Sequence, residues 1–511
     1  MEPAPVATMI DGKAKVAKTQ GMGAHFLHYS TANVLVILAG FISFPVLTRL
    51  LDNTQYGILG YYETWALMAV AVGKLGAQHA IQRFYPYGGD DARLRAFSTN
   101  LFYLPLAMSM VLWVVVGGGL AAVDLLAGLR QPAVFWLALV AVPMAVYSSL
   151  VETVLRVTER SRLVMASRIF SRWMQLAMML GAVAWIQQSA VAAYGGKLLA
   201  TALVIGFYVY WAQRNLKFSR ASIDPASMRQ GLTFGMPLVA NEMFAVALIL
   251  VDRTMLLGMT GDFAQVGIYS IGASLAMQVH VFTNLAIFES FTPMANRLFV
   301  TEGAEAVRAL KAKVLSLMTH GSVGIAVMLW CFGTDAIIAL SGPSKAASGP
   351  VFALMGVSRA LMPLMLVAGY GLMLEKRSTK VMLLMCGSML VNTGLNWLWI
   401  PTYGVMGAVY ATIASSATLA AGHCLWVPRS LLKLPDLRTV ASAGVAAAAC
   451  LGLVGIGVLS DLRPGWERLL VGGVALGAVY GVLALSLDTR LRTTLLAWRK
   501  SRPGKNAVAA P

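Results

Sequence analysis

The chain is a succession of apolar stretches, each about 20 residues long and so able to cross a hydrocarbon core of about 30 Å. Fourteen such spans are read along it, at 29–50, 56–80, 97–122, 132–154, 164–186, 190–212, 231–258, 264–290, 313–340, 349–374, 380–400, 404–427, 439–460 and 467–487. Of the 511 residues 58% are hydrophobic and 12% charged, with a mean hydropathy of +0.70. Soluble domains average about 45–50% apolar and about 25% charged. The expected fold class is an all-α polytopic membrane protein with about fourteen transmembrane helices and no room for a sizeable soluble domain.

The loops between spans alternate in charge. One side carries 29 of the basic residues, including Arg83, Arg93, Arg95, Arg160, Arg162, Lys217, Arg220, Arg308, Lys311, Lys376 and Arg377; the other carries five, namely Arg49, Arg130, Lys345, Arg463 and Arg468. The positive-inside rule then puts both termini in the cytoplasm. It also accounts for the net charge of +18 without a nucleic-acid partner, because the basic residues sit in short loops. Cys331, Cys386, Cys424 and Cys450 fall in apolar segments at spacings that suit neither zinc nor a disulfide framework. Residues 1–26 carry Lys13, Lys15 and Lys18 without an apolar core ending in a cleavage site, and read as a cytosolic leader.

The chain also repeats itself. Glu159-Arg160-Ser161-Arg162-Leu163-Val164-Met165 is echoed by Glu375-Lys376-Arg377-Ser378-Thr379-Lys380-Val381-Met382. Tyr194-Gly195 and Ala200-Thr201 return as Tyr403-Gly404 and Ala411-Thr412, and Tyr56-Gly57-Ile58 returns as Val266-Gly267-Ile268-Tyr269. The offset stays between 209 and 217 residues. Two lobes of six helices follow, at 27–212 and 231–427, joined by a polar cytosolic linker at 213–230. Helices thirteen and fourteen (439–487) and a basic tail (488–511) lie outside the repeat. An even span count per lobe inserts both copies in the same direction, so the pseudo-two-fold axis runs along the membrane normal. Duplicated membrane domains of this kind frame secondary transporters, with the substrate site between the halves.

An ionisable side chain at membrane depth costs roughly 3 kcal/mol on insertion scales, so it is paired or faces a wet cavity. The basic candidates are Arg49, Lys74, Arg168, Arg172, Arg253 and Arg359; the acidic ones are Glu63, Glu242, Asp252 and Glu289. Arg168 and Arg172 share one helix face at i, i+4. Asp252 and Arg253, as neighbours, point in different directions, and Arg49 occupies the matching end of the first span. Glu63 and Lys74 share a face but stand about 16 Å apart at about 1.5 Å per residue, so each needs another partner. For Glu63 that partner is expected to be Arg49 or Arg253 at an outer gate. Pro143 and Pro363 fall at corresponding places in the fourth and tenth spans and are candidate hinges. No Walker A or dinucleotide pattern occurs, and all outer loops are short. Direct ATP hydrolysis and glycan ligation by a large catalytic loop are thereby disfavoured. The chain is expected not to be an enzyme and to need no cofactor or metal; any uphill drive comes from an ion gradient (H⁺ or Na⁺), the membrane potential or downstream consumption.

Phe44-Pro45-Val46-Leu47-Thr48-Arg49-Leu50-Leu51, Tyr56-Gly57 and Ala80-Ile81-Gln82-Arg83-Phe84-Tyr85-Pro86 resemble the opening of the polysaccharide transporter family. This is the O-antigen and capsule flippase branch of the multidrug/oligosaccharidyl-lipid/polysaccharide exporter superfamily. Asp252-Arg253 with Val266-Gly267-Ile268-Tyr269-Ser270, and Pro401-Thr402-Tyr403-Gly404-Val405-Met406-Gly407-Ala408 with Ala411-Thr412, resemble its second lobe and twelfth helix. The resemblance spans about residues 27–427. It implies a flippase of the bacterial inner membrane with two lobes around a cationic cavity, moving an oligosaccharide on polyprenyl diphosphate for surface polysaccharide assembly. The six basic residues would hold the diphosphate, since arginine binds it bidentately. The four acids would serve coupling or gating. Membrane lipids and other polysaccharide assembly proteins are the further expected partners. Lipid II flippases and ion-coupled multidrug antiporters of the superfamily are the alternatives. An acidic cavity would favour the antiporter, and a large outer loop with catalytic residues would favour a membrane glycosyltransferase or ligase.

The charge bias makes a direct prediction. Single cysteines introduced between 213 and 230 should resist an impermeant thiol reagent added outside intact cells and react after permeabilisation. Labelling from outside would refute the topology.

Overall fold

Backbone N–H and C=O groups in hydrocarbon find partners only within the protein, and all regular elements among the described residues are helical. The computed structural model describes residues 22–87, 90–128, 132–158, 160–489 and 491–493, without the side chains of 22–34, 127, 161 and 284–290. Most of the leader and most of the basic tail lie outside the described residues.

Among the described residues fourteen long helices run in order. The first lobe holds α1 (Met22–Leu50), α2 (Asn53–Gly73), α3 (Leu104–Ala127), α4 (Ala133–Val157), α5 (Ser161–Gly181) and α6 (Ala190–Asn215). The second holds α7 (Pro225–Thr260), α8 (Phe263–Thr301), α9 (Ala304–Ser341), α10 (Gly349–Ala368), α11 (Ser378–Tyr403) and α12 (Val405–Trp426). α13 (Leu437–Gly455) and α14 (Gly473–Leu487) follow. Asp52, Ser189, Asp224 and Asp262 cap the N-termini of α2, α6, α7 and α8 through side-chain oxygens. Bonds from Ser227 and the Ala226 and Ser227 amides also hold the Asp224 carboxyl below the usual aspartate range.

Twelve of these helices, α3 to α14 with their flanking turns, are long and apolar enough to cross a membrane. α1 offers a shorter apolar stretch, Leu35–Leu50, and α2 does not qualify. The reason is visible in α2: its Asn53, Thr54, Gln55 and Glu63 dilute the apolar residues of a helix wedged between the lobes. The protein is a multi-pass membrane protein. α8 and α9 run for 39 and 38 residues, well beyond the roughly 20 a bilayer needs. Arg297, Arg308, Lys311 and Lys313, read as loop residues, are therefore on helices. Lys311 is fully buried and donates to the Ala368 and Leu431 carbonyls, at 3.0 and 2.5 Å. The linker is also shorter than expected and is pinned to the first lobe. Asn100 bonds the Ser222 carbonyl and the Asp224 amide, each at 2.8 Å.

The neighbours in the two lobes correspond. α1 packs on α5 as α7 does on α11, α2 on α4 as α8 on α10, α4 on α6 as α10 on α12, and α5 on α6 as α11 on α12. α13 and α14 pack on α9, where Val327 and Phe332 join Ala446, Cys450, Leu476 and Tyr480. All four cysteines are free.

Two seals join the lobes. Where α1 turns into α2 (the turn face), Arg49 donates to the Ala339 and Leu340 carbonyls at 2.7 and 2.8 Å. Lys345 returns the contact by donating to the Leu51 carbonyl at 2.8 Å. Each lobe thus supplies a cation to a helix C-terminus of the other, where the dipole favours it. Between these clamps the repeated glycines meet. A Cβ on Gly57 would stand 2.0 Å from the Phe263 carbonyl oxygen, and one on Gly267 would stand 1.8 Å from that of Asn53. At the opposite, linker face, Lys74 pairs with Glu242 at 2.5 Å, and Gln78 donates to the same carboxylate at 3.0 Å. Gly76 and Gly235 there sit too close for a side chain on either.

Gly57→Ala should therefore lower the thermal midpoint of the detergent-solubilised protein, because overpacking costs about 1–3 kcal/mol. Gly118→Ala, with nothing within 4 Å of the new methyl, should leave it unchanged or slightly higher. Equal midpoints for the two variants would remove the Gly57–Gly267 contact as a constraint.

Candidate functional site

Between the two seals the lobes enclose a cavity of about 700 Å³. Its wall draws on α1, α2, α5 and α6 from one lobe and on α7, α8, α10, α11 and α12 from the other. The charged lining among the described residues is Glu63, Arg172, Lys197, Asp252, Arg253 and Arg359, with His280 and His423 beside them. With neutral histidines the formal charge of that lining is +2.

These groups differ in how they are satisfied. Glu63 on α2 pairs with Lys197 on α6 at 2.5 Å, and Lys197 also lies over the Tyr194 ring. Asp252 is 2% exposed and accepts four bonds. Asn392 and Asn396 donate to Oδ1 at 3.0 and 2.8 Å, and Tyr269 and Thr412 donate to Oδ2 at 2.5 and 2.7 Å. The Oδ1 atom of Asn396 is buried without a hydrogen-bond partner. Arg253 turns the other way, donating to Ser270 Oγ at 3.0 Å and to the Ile249 carbonyl at 3.2 Å. Neighbouring helix positions point apart, so the sequence expectation of divergence matches this geometry. Both residues lie inside α7, which continues to Thr260, whereas Arg49 stands in the last turn of α1, so Arg253 is not the structural match of Arg49. Arg172 on α5 and Arg359 on α10 are half-buried, and among the described residues neither has an ion pair or a hydrogen bond. One free guanidinium thus faces the cavity from each lobe.

Other expected residues lie elsewhere. Arg49 binds the end of α9 at the turn face and does not line the cavity, because helix C-terminal carbonyls satisfy it. Lys74 and Glu242 satisfy each other at the linker face. Arg168 meets Glu152 at 3.4 Å and does not line the central cavity. The Glu289 side chain lies outside the described residues. Pro143 and Pro363 sit inside α4 and α10, which continue as helix on both sides. Glu63 takes Lys197 as its partner, in place of Arg49 or Arg253.

Lys197 was legible by the same criterion as the other candidates, an ionisable side chain seven residues into an apolar span. Asn392 and Asn396 carried a weaker signal: two amides on one face, at i, i+4, of the eleventh span. Nothing in the sequence pointed Tyr269 and Thr412 at Asp252.

A family model described as polysaccharide biosynthesis protein matches residues 22–299. No curated protein sequence matches the chain. Among solved structures, the lipid II flippase MurJ in an inward closed conformation is similar, with a TM-score of 0.69, 10% identity, and coverage of 91% of this chain and 99% of that one. An inward-facing multidrug resistance MATE family transporter of the MOP superfamily gives a TM-score of 0.60 at 14% identity, covering 79% and 97%. A MATE transporter in complex with MaL6 gives 0.52 at 15% identity, covering 80% and 98%. At these identities the likeness is one of fold.

The Glu63–Lys197 pair generates a stability prediction. Removing one member leaves an uncompensated charge at membrane depth. Lys197→Met and Glu63→Gln should each lower the thermal midpoint, and the double variant should lie above the Lys197→Met value. Strictly additive losses would mean that the two groups do not interact.

Proposed function

The chain belongs to the polysaccharide biosynthesis protein family, within the multidrug/oligosaccharidyl-lipid/polysaccharide exporter superfamily, and on that premise we propose that it is a flippase. Its substrate is an oligosaccharide on polyprenyl diphosphate. It carries that substrate from the cytoplasmic to the outer leaflet of a bacterial inner membrane, for O-antigen or related surface polysaccharide assembly. The observation that carries this reading is the cavity of net +2 with an unpaired arginine from each lobe. A diphosphate esterified at both ends is a dianion, and two guanidiniums present forked donors to its oxygens. Closure of the lobes around one headgroup would bring both arginines to it. An antiporter for cationic drugs gains nothing from such a lining.

The seams between the lobes are unequal. α2 packs along α7, whereas the corresponding pair, α1 and α8, touches only sparsely. Gly40 on α1 and Gln278 on α8 line the cavity at that second seam. We assign it to the polyprenyl chain, which would stay in lipid while the headgroup enters. Ion coupling, by H⁺ or Na⁺, is assigned to Asp252, a buried carboxylate on the cavity wall held by the Asn392 and Asn396 amides and the Thr412 hydroxyl. Glu63 is assigned a gating role through Lys197. The fold match to a lipid II flippase keeps one alternative of the same headgroup chemistry, differing in the glycan.

Deleting the gene should remove a surface glycan and accumulate its lipid-linked precursor; loss of peptidoglycan precursor export would favour the alternative. Arg172→Ala and Arg359→Ala should each abolish export at near-normal protein abundance. Lysine at either position should restore it only in part, since it lacks the bidentate fork. Normal export by both alanine variants would sink the headgroup assignment. Glu63→Gln and Asp252→Asn should reduce export and alter its dependence on external pH or sodium; unchanged export across that range would remove the coupling and gating roles.

A further inference from the structure

The turn face carries a separate cleft of about 500 Å³, outside the central cavity. Its walls are the last turn of α9 with the residues that follow it, the turn between α13 and α14, and Arg49 at the end of α1. The volume lies within the roughly 300–1,000 Å³ usual for small-molecule sites. On the orientation read from the loop charges, this face is the outer one.

The cleft is held ready for a ligand. Asp335, 5% exposed, accepts from the Gly465 amide at 3.0 Å, and Arg468 donates to the Leu459 carbonyl at 3.1 Å. These bonds fix the turn that presents Trp466, so the indole is placed before anything binds. Trp466, Pro343 and Pro464 are exposed and offer ring faces. Among the described residues, the Ser344 hydroxyl and the Trp466 indole N–H have no hydrogen-bond partner. The exposed Arg49 guanidinium spends two of its five N–H groups on the Ala339 and Leu340 carbonyls and keeps the rest. Ile338 and Ala339 in the lining belong to the end of α9, where carbonyls outnumber N–H partners and carry partial negative charge.

That combination sorts ligands. A phosphate would meet one guanidinium that is already bonded, beside a helix end whose dipole opposes an anion. An apolar ligand would cover the hydroxyl and N–H groups and leave them unpaired. A neutral pyranose meets both demands. Its hydroxyls accept from Arg49, Ser344 and Trp466 and donate to the carbonyls of α9, while its C–H face lies on the indole.

Among the described residues Arg49 is the first lobe's sole contribution to this lining, and it is also the clamp that fastens α1 to the end of α9. When the lobes part at the turn face, Arg49 leaves with α1 and the cleft loses a wall. A ligand that touches both sides therefore binds the clamped state more tightly, and by linkage it holds the clamp shut.

We propose that this cleft binds a neutral sugar unit of glycan already exported, and that its occupancy keeps the outer clamp closed. Glycan that accumulates outside then slows the next opening. The proposal rests on the export direction and the glycan class put forward above.

The test uses the full-length protein in phosphatidylcholine nanodiscs. The soluble probes are the methyl glycosides of glucose, galactose, rhamnose, N-acetylglucosamine and N-acetylgalactosamine, with glycerol 3-phosphate as the anionic comparison. Titrations followed by saturation-transfer NMR should show binding of at least one glycoside. Trp466→Ala should weaken it about fivefold or more, as loss of a stacked ring allows. That variant should keep the wild-type thermal midpoint and wild-type binding of undecaprenyl diphosphate, whereas Arg172→Ala should lose the lipid and keep the glycoside. A second arm reads the clamp. Thr48 Oγ1 donates to Ser341 Oγ at 2.9 Å across the lobes, a contact that Thr48→Cys with Ser341→Cys can bridge under mild oxidation. The glycoside should speed that cross-link, read by mass spectrometry, and should not do so once Trp466→Ala is added. Binding of no glycoside, binding of glycerol 3-phosphate alone, unchanged affinity in Trp466→Ala, or a cross-linking rate indifferent to the glycoside would overturn the inference. Loss of glycoside binding in Arg172→Ala would move the sugar to the central cavity and overturn it too. None of these outcomes touches the headgroup assignment, which fails separately if the wild type does not bind undecaprenyl diphosphate.

Discussion

A charge held at membrane depth is costly unless something answers it, and the interior of this protein is organised around that cost. Lys74 is answered by Glu242, Arg168 by Glu152, Lys197 by Glu63, and Asp252 by four neutral donors. Arg49, Lys311 and Lys345 are answered by carbonyls, several of them at helix C-termini. Each satisfied group ties two helices together. Arg172 and Arg359 stand apart because the cavity, and no partner among the described residues, meets their guanidiniums. The same penalty thus yields fasteners where it is met by the protein and an open cationic wall where it is met by the cavity.

The fasteners also define where the lobes can part. At the turn face, cations exchanged between helix ends flank the Gly57–Gly267 contact; at the linker face, Lys74–Glu242 flanks Gly76–Gly235. Both seals run through or beside α2. Backbone contact through glycines packs closely without interdigitating side chains, so two lobes can rock about it with little repacking. Ion pairs and hydrogen bonds, by contrast, open and close as units. That combination suits a transporter that exposes its cavity to one side at a time, as rocking of parallel repeats would require.

Much of the architecture was legible from the chain. The periodic apolar runs gave the helices, and the repeat at 209–217 residues anticipated the corresponding neighbours of the two lobes. Misreadings occurred where helices outlast the bilayer. Arg297, Arg308, Lys311 and Lys313 looked like loop residues because hydropathy falls there, although α8 and α9 continue. Membrane-depth charge was a sound guide to which residues need an account, yet it could not say which account applied. Arg168 and Arg172 share a face in sequence terms; in the fold one meets Glu152 and the other meets the cavity.

By itself, the sequence determined the helical class, the duplication, the excess of basic over acidic residues at depth, and the small set of side chains that had to be paired or wetted. Those are local or additive properties, set by hydropathy, spacing and charge along the chain. Only the tertiary structure decided which partner each charge took. Glu63 reaches Lys197 across 134 residues, Lys74 reaches Glu242 across 168, and Asp252 gathers Asn392, Asn396 and Thr412 from two further helices. Such choices depend on how helices rotate about their axes and pack against one another, which no one-dimensional pattern encodes. The cleft beside Trp466 is of the same kind: its walls come from the end of α1, the end of α9 and the turn before α14, and it exists only once they are assembled.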